Sequence, residues 1–350
     1  MSGEERTETR ILAADRPEDM REAARLLREG SLVAFPTETV YGLGANGLMP
    51  EAVNRIFKVK GRPSDNPLIL HIADRKMLEA LVSRVDPGAY ALMDAWWPGP
   101  LTLVFEAADS VPDAVRAGLP TVAVRMPASP EAAELIRLAG VPVAAPSANL
   151  SGRPSPTRAD HVLRDLEGRV EAILTGADAR EGLESTIVDV SRRPFSLLRP
   201  GSITLEELRK KVPDLQVDPA LERDTGEAPR APGMKYRHYS PDARVTLFEG
   251  TLPGKVKFLE TLKREDPGAG VISTRQLREA YRGEPFGYWY CLGDGEDPSQ
   301  AARRIYDSLR EADRAGVEEV YVEAFPEQDL GRTIMNRLRK AASGRIRRCD

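Results

Sequence analysis

Hydrophobic residues recur along the chain with two different periods, and the alternation of these periods predicts an α/β protein. Apolar positions three and four apart predict amphipathic helices at 17–28 and 50–58. Short apolar runs predict buried strands, the first of them at 31–35. Further strands are predicted at 68–72, 101–106, 121–125, 141–145 and 186–190, and further helices at 87–96, 130–139 and 158–166.

The last third of the chain repeats a cleaner pattern of strand followed by helix. Because helices that connect successive strands lead to parallel pairing, this pattern predicts a smaller Rossmann-like parallel α/β domain. Its strands are predicted at 244–249, 269–273, 287–292 and 318–324, and its helices at 254–264, 275–281, 299–315 and 331–342.

Prolines and glycines interrupt the pattern between these two regions, over residues 213–242. Little apolar periodicity remains there, which is typical of a linker. A length of 350 residues also fits two domains better than one. We therefore expect a first domain at 1–203, a linker at 204–242 and a C-terminal domain at 243–350.

The charge balance argues against a protein that grips nucleic acid through its surface charge. The net charge is only −4, whereas non-specific nucleic-acid binding usually requires a strongly basic face. Basic residues gather at 337–348, and we interpret them as a solvated helix face with its frayed end. No tight direct binding of nucleic acid is expected.

Cysteine usage and apolar runs point to the cytoplasm. Cys291 and Cys349 lie far apart and form no metal or redox motif. No apolar run approaches the roughly 20 residues that span a bilayer, and residues 1–10 do not resemble a signal peptide. We expect a cytoplasmic protein that does not enter a membrane.

One candidate ligand site directly follows the first predicted strand, at residues 36–44. Hydroxyl groups and glycines at the carboxyl end of a strand are where open α/β sheets bind ligands. An alternative is a dinucleotide site, because Gly42, Gly44 and Gly47 satisfy the pattern GxGxxG. Against it, six residues separate the strand from the first glycine. A plain turn is the third interpretation.

Three further segments carry groups that suit an anionic ligand. Lys60 and Arg62 flank a glycine, and such neighbouring cations suit phosphate, although they also complement a helix C-terminus. Arg125 ends a strand, where it suits a carboxylate, a phosphate or a surface salt bridge. The hydroxyl and amide groups of 145–152 suit a phosphate-binding nest or an ordinary loop. His71, alone in a strand, is typical of a hydrogen-bonded core residue.

These segments together resemble one family. The chain is similar to the YrdC domain of threonylcarbamoyl-AMP synthases over about residues 11–202, and residues 232–241 resemble the element that joins this domain to a second one in longer members. The motifs that carry the resemblance are, in order, PTETVYGLG, KGRPSDNPL, WWPGPLT, VAVRMP, PSANLSG, ESTIVD and LRPG, followed by PGMKYRHYSP. The resemblance implies a YrdC-like twisted mixed sheet with helices for the first domain.

The resemblance also implies substrates and site residues. Members of this family convert L-threonine, bicarbonate and ATP into threonylcarbamoyl-adenylate and pyrophosphate, and downstream threonylcarbamoyl-transfer machinery uses the product to modify tRNA. Mg²⁺ would ride mainly on the ATP phosphates, without protein ligands of its own. Lys60 and Arg62 would be catalytic. Residues expected to contact threonine are Thr39, His71, Arg125, Ala145 and Ser185; those expected to contact ATP are Arg62, Asn66, Thr121, Ser147, Ser155 and Arg199, with Tyr239 or Tyr236 from the linker.

This assignment agrees with the residue types. The threonine carbamate is an anionic nucleophile, so its attack on the α-phosphorus needs alignment and charge stabilisation rather than a catalytic triad; alignment can supply about 7–11 kcal/mol. Because the intermediates hydrolyse readily, we expect the linker to cover the active site, through Tyr236, His238 and Tyr239. The alternative is an RNA-binding protein of the translation apparatus without synthase activity.

Overall fold

The computed structural model describes residues 7–221, 230–232 and 239–350. The chain divides into two compact units. Among the described residues, the first unit comprises 7–151, 156–221 and 230–232, and the second comprises 152–155 and 239–350.

The first unit is built on one large mixed sheet. Its strands are β1 (Arg10–Ala13), β2 (Val33–Phe35), β3 (Gly42–Asn46), β4 (Ile69–His71), β5 (Leu101–Glu106), β6 (Thr121–Arg125), β7 (Val143–Ala144), β8 (Ala172–Thr175), β9 (Thr186–Asp189), β10 (Ser196–Arg199) and β11 (Gln216–Val217). Its helices are α1 (Pro17–Arg28), α2 (Pro50–Lys60), α3 (Arg75–Glu79), α4 (Pro87–Trp96), α5 (Asp113–Arg116), α6 (Pro130–Ala139), α7 (Ala159–Leu166) and α8 (Leu205–Lys211). The spatial order of the strands is β1-β8-β2-β3-β7-β4-β6-β5-β9-β10-β11.

The two faces of this sheet are covered differently. Side chains alternate between faces along a strand, so Val122 and Val124 of β6 join the main core with helices α2, α4, α7 and α8. On the opposite face, helices α1 and α6 pack over β2, β7 and β8. Further along that face, Ala123 belongs to a small apolar cluster. This cluster contains no helical residue among those described, and Ala231 packs there against the strands. The part of this face formed by β4, β6, β5 and β9 carries His71 and Arg125, two residues predicted to contact threonine, and for this reason we call it the substrate face.

Local sequence signals explain where helix α2 begins and ends. Pro50 occupies its first turn, where a missing N–H costs nothing. Gly61 ends the helix in the left-handed conformation, with φ of 63°, which glycine adopts without a steric penalty. Lys60 therefore belongs to the last helical turn, whereas Arg62 already lies on the loop that follows.

The second unit is a five-stranded, wholly parallel sheet. Its strands are β12 (Arg244–Gly250), β13 (Gly270–Ser273), β14 (Tyr288–Cys291), β15 (Glu319–Glu323) and β16 (Ile346–Cys349), and its helices are α9 (Leu252–Glu265), α10 (Arg275–Ala280), α11 (Pro298–Arg314) and α12 (Asp329–Ala342). The order is β14-β13-β15-β12-β16. Counted within the unit this is 3-2-4-1-5, which differs from the usual dinucleotide-binding order 3-2-1-4-5.

The predicted fold class is confirmed, since a mixed α/β sheet precedes a smaller parallel one. The interpretation of the basic tail as a frayed helix end is wrong. Strand β16 pairs in parallel with β12, and Arg337 on α12 is buried. The pairing supplies hydrogen-bond partners that the sequence pattern of the tail does not reveal.

The expected linker interval, 204–242, opens with folded structure of the first unit. Helix α8 begins with a capping box between Thr204 and Glu207, and β11 pairs in parallel with β10. The dinucleotide alternative is wrong, because Gly42 and Gly44 lie within strand β3 and not in a turn before a helix. A Cβ on Gly44 would lie 2.9 Å from Phe35 and Val143, so close packing explains this glycine.

Candidate active site

A buried ion pair occupies the carboxyl end of strand β6. The Arg125 guanidinium donates to Glu38 Oε1 at 2.5 Å and to Thr39 Oγ1 at 2.8 Å, and its Nε donates to the Gly99 carbonyl at 3.2 Å. Among the described residues these bonds use three of the five N–H donors of a guanidinium. Arg125 is therefore held by the protein while two N–H groups remain for a ligand.

Glu38 is held as firmly as its partner. Its carboxylate also accepts hydrogen bonds from the backbone N–H groups of Ala128 and Ser129, at 3.0 and 3.2 Å. Burial raises the pKa of Glu38, but the charge of Arg125 and these donors outweigh it, so the pKa lies below its usual value. The carboxylate is ionised at neutral pH.

His71 lies next to Arg125 on the substrate face. The two residues are register partners in the parallel pair of β4 and β6, and the imidazole is nearly perpendicular to the Phe35 ring, with the ring centres 6.3 Å apart. Burial, followed by the charge of Arg125, lowers the pKa of His71 to about 3. Nδ1 makes no hydrogen bond within the described part of the chain. His71 is thus a neutral group, and the expectation of a hydrogen-bonded core histidine is not met at Nδ1.

A second polar chain runs from β5 to β10. Thr102, the register partner of Arg125, places its Oγ1 2.7 Å from Ser185 Oγ. Arg199 donates from Nη2 to Ser185 Oγ and from Nε to the Ser185 carbonyl, both at 3.1 Å. Ser185 and Arg199, predicted to contact different substrates, are therefore in direct contact.

Lys60 connects helix α2 to the loop after β7. Its buried ammonium donates to the carbonyl of Ser147 at 2.5 Å and to the carbonyl of Asn149. The same loop is tied to the segment after β2, because Ala148 N donates to the Tyr41 carbonyl at 2.8 Å. Lys60 thus holds the loop of Ser147, and this loop is in turn bonded to the segment that carries Thr39.

The remaining first-unit residues take different positions. Arg62 Nη2 donates to the carbonyls of Asn66 and Pro67, at 3.4 and 3.2 Å. The side-chain amide of Asn66 is fully buried, with no protein hydrogen bond within the described residues. Thr121 starts strand β6, four residues and roughly 13 Å from Arg125 on the same face. Ala145 is buried and its N–H donates to the Ile69 carbonyl.

Two predicted ATP contacts belong to the second unit. Ser155 and Tyr239 are both buried there. Tyr239 adopts a φ of 64°, rare for a residue with a large side chain. Its ring stacks on Tyr306 and lies below the guanidinium of Arg337. Tyr236 and His238 lie outside the described residues.

A cavity of about 190 Å³ opens beside the ion pair. It is lined in part by Thr37, Glu38, Gly99, Ser129 and Arg180. None of the residues predicted to contact threonine lines it. The cavity instead reaches Glu38 and Gly99, which both accept hydrogen bonds from Arg125.

Comparison with known proteins identifies the family. A family model described as "Telomere recombination" matches residues 25–201, and one described as the C-terminal domain of threonylcarbamoyl-AMP synthase matches 203–343. The threonylcarbamoyl-AMP synthases of Pyrococcus abyssi and Bacillus subtilis are 46% and 45% identical to the chain, over 93% of it and over 95% and 93% of their own lengths. The chain belongs to the threonylcarbamoyl-AMP synthase family.

A solved structure of a family member matches the whole architecture. The crystal structure of P. abyssi Sua5 complexed with L-threonine has a TM-score of 0.91 and 44% identity, covering 98% of this chain and all of that one. The resemblance inferred from the motifs is confirmed, and with it the predicted activity, a nucleotidyltransferase that makes threonylcarbamoyl-AMP. The individual site residues stay predictions.

The sequence analysis missed Glu38, the ion-pair partner of Arg125 at this candidate site. Glu38 lies between two threonines directly after a buried strand, where a charged side chain needs a partner. Arg125, at the end of another apolar strand, has the same need. Reading the two requirements together could have suggested the pair.

In the described part of the first unit, no three His, Cys, Asp or Glu ligand atoms converge closely enough to hold a metal ion. No helix among the described residues combines the length and apolar character needed to cross a membrane.

Proposed function

We propose that this member of the threonylcarbamoyl-AMP synthase family condenses L-threonine, bicarbonate and Mg²⁺-ATP on the substrate face, releasing pyrophosphate. The observation that carries the proposal is the convergence of Thr39, His71, Arg125, Ser185 and Arg199 on neighbouring strand ends. Such convergence at one end of a sheet is typical of ligand sites in α/β proteins.

Arg125 and its neighbours suit the amino acid. Two remaining N–H groups of a fixed guanidinium can hold the threonine carboxylate, and a charged hydrogen bond contributes about 1.5–3 kcal/mol. Because the Glu38 carboxylate neutralises the Arg125 guanidinium, the site does not carry an isolated buried charge before threonine binds. The P. abyssi relative is complexed with L-threonine, which supports threonine as the amino-acid substrate.

The neutral imidazole of His71 suits the carbamate step. The threonine ammonium gives one proton to solvent, and the neutral amine adds to CO₂, which bicarbonate supplies with loss of hydroxide; the proton released on C–N bond formation combines with that hydroxide as water. A second positive charge beside Arg125 would repel the incoming ammonium ion. A histidine with its pKa lowered to about 3 adds no such charge. The resulting carbamate oxygen is anionic and attacks the α-phosphorus without further deprotonation.

Lys60, Arg62, Asn66, Ser147 and Arg199 are proposed for the ATP side. Lys60 orders the loop that carries Ser147, and Arg199 presents a guanidinium beside Ser185. Charge that develops on the phosphate oxygens would be stabilised by Lys60 and Arg62, the two residues predicted to be catalytic, whereas Arg199 would bind ATP in the ground state. Mg²⁺ enters as part of the nucleotide substrate, consistent with a cation that binds phosphates and few protein groups.

The product defines the partner class. A mixed carbamoyl-phosphoric anhydride is reactive, so an acceptor enzyme must use it soon after release, and the proposed acceptor is the machinery that transfers the threonylcarbamoyl group to tRNA. This enzyme itself then needs no tight hold on tRNA.

Product formation tests the proposal. The purified protein is incubated with Mg²⁺-ATP, threonine and ¹⁴C-bicarbonate, and pyrophosphate and a labelled adenylate are measured. Both products should form in equal amounts and disappear when threonine is omitted. Pyrophosphate release that does not depend on threonine would contradict the proposed substrates.

A further inference from the structure

Within the described residues, one part of the substrate face packs against no helix, and residues 230–232 lie over it. Ala231 is fully buried there. Its side chain joins an apolar cluster formed by residues from β4, β5, β6, β9 and β10, namely Ile69, Val104, Ala123, Ile187 and Leu198. Period-two alternation puts Ile69 and Ala123 on the same face as His71 and Arg125. The short segment thus lies on the sheet within the proposed site region.

One arginine fastens this segment by two ion pairs. Arg230 Nη1 donates to Asp189 Oδ2 at 2.8 Å, and Nη2 pairs with Asp218 Oδ2. Both carboxylates are nearly buried, with side-chain exposures of 5% and 8%. We call Arg230, Asp189 and Asp218 together the Arg230 clasp. A planar guanidinium can span two carboxylates in this way, whereas a lysine ammonium is a point charge.

The two carboxylates are ordered by their own loops. Asp189 Oδ1 accepts hydrogen bonds from the N–H and Oγ of Ser191, and Asp218 Oδ1 accepts one from the N–H of Ala220, at 2.9 Å. Each aspartate therefore keeps its Oδ2 atom directed at Arg230. The two aspartates thus form a preformed receptor for one guanidinium group, that of Arg230.

The segment held by the clasp reaches the substrate-binding residues. The carbonyl of Pro232 accepts a hydrogen bond from Arg199 Nη1 at 3.1 Å. The other two nitrogens of Arg199 hold Ser185. Movement of the segment would therefore remove one of the contacts that orient the Arg199 guanidinium.

We propose that the Arg230 clasp positions Arg199 for ATP, so that Arg230, Asp189 and Asp218 are positioning residues of the synthase reaction. The inference rests on the proposed role of Arg199 in binding ATP. Buried ion pairs contribute little to stability compared with apolar packing, which favours a role in fixing geometry. Loss of the clasp should therefore weaken ground-state binding of ATP more than it lowers the rate at which bound substrates react.

Steady-state kinetics of the Arg230→Ala enzyme test the proposal. We expect the KM for ATP to rise about tenfold or more, while kcat and the KM for threonine change less than about threefold; tenfold corresponds to about 1.4 kcal/mol. Guanidinium chloride at low millimolar concentration should partly restore the ATP KM, because the vacated receptor still presents two carboxylates.

Two further variants keep the test decisive if Arg230→Ala folds poorly. Asp218→Asn retains the shape of the side chain and removes one charge of the receptor, so it should raise the ATP KM in the same direction. Arg137→Ala removes an arginine from an exposed ion pair on α6 of the same unit and serves as the matched control. The folded fraction of each protein is measured by circular dichroism.

The outcomes separate this inference from the proposed function. Wild-type activity together with an ATP KM raised in Arg230→Ala and Asp218→Asn, and guanidinium rescue confined to Arg230→Ala, supports the clasp. An active wild type with Arg230→Ala indistinguishable from Arg137→Ala overturns it, as does a fall in kcat that merely follows the folded fraction. A wild type that forms no adenylate instead refutes the proposed function on which the clasp rests.

Discussion

At the scale of single residues, the site depends on charges that the protein itself neutralises. Arg125 and Glu38 are both nearly buried, at 4% and 8% side-chain exposure. Removing one partner of such a pair leaves an uncompensated charge and typically costs about 3–5 kcal/mol. The pair therefore keeps a cation in the site without the instability that burial alone would cause.

The first prediction concerns Glu38→Gln. The change keeps the side-chain shape but leaves Arg125 charged and unbalanced, so we expect a lower unfolding temperature and a higher KM for threonine. Thermal denaturation and synthase kinetics measure both. Glu134→Gln, which removes a charge from an exposed pair on α6, is the control. Equal behaviour of the two variants would contradict the role given to Glu38.

The second prediction concerns the protonation of His71. Its pKa is lowered from about 6.5 to about 3, so the unfolded chain binds a proton in this interval that the folded chain excludes. The burial of His71 therefore destabilises the fold progressively as the pH falls below about 6.5. NMR of ¹³C-labelled histidine, with His71→Asn to assign the signal, should show a neutral imidazole at pH 5. A midpoint near 6.5 would refute this.

The third prediction concerns Lys60→Ala. The change removes the Lys60 donor from the carbonyls of Ser147 and Asn149 and frees the loop that carries Ser147. We expect synthase activity to fall at least tenfold, about 1.4 kcal/mol, and a similar loss for Arg62→Ala. Lys58→Ala, an exposed lysine of the same helix, should keep normal activity. A normal rate for Lys60→Ala would show that its assignment is wrong.

At the scale of secondary-structure elements, local signals predicted the helices well. Helices α1, α4 and α6 have the predicted bounds, because each combines a proline in its first turn with an apolar stripe. Strand β3 was missed. Its sequence, GLGAN, contains two glycines and no β-branched residue, so its strand conformation comes from pairing with β2 and β7.

The fourth prediction tests the explanation given for the glycines of β3. Gly44→Ala should destabilise the protein by about 1–3 kcal/mol, because the added methyl group would overlap Phe35 and Val143. Gly287→Ala, where a Cβ would meet open space, should have little effect. Thermal denaturation compares the two. An unchanged stability of Gly44→Ala would contradict the packing explanation.

At the scale of the whole molecule, charge distinguishes the synthase from the RNA-binding alternative. The chain carries 50 basic and 54 acidic residues. The buried Arg125 and Arg199 and the partly buried Arg230 are occupied by internal partners. They cannot also form a surface that releases counterions from a phosphate backbone.

The fifth prediction is that tRNA is neither bound tightly nor required for adenylate formation. Filter binding at about 50 and 200 mM salt should show weak association, with a shallow salt dependence because few phosphates are contacted. Synthase assays with and without tRNA should give equal initial rates of pyrophosphate release. Tight, steeply salt-dependent binding without ATP turnover would favour the RNA-binding alternative.

The sequence by itself determined the family, the reaction class and most helices, because motifs and hydrophobic periods are written in neighbouring residues. It could not decide which distant residues meet. Glu38 and Arg125 are 87 positions apart, and Arg230 lies 41 positions from Asp189. Such contacts depend on strand register and on the path of the chain across the sheet. Only the tertiary structure revealed the partner that neutralises Arg125 and the clasp beside Arg199.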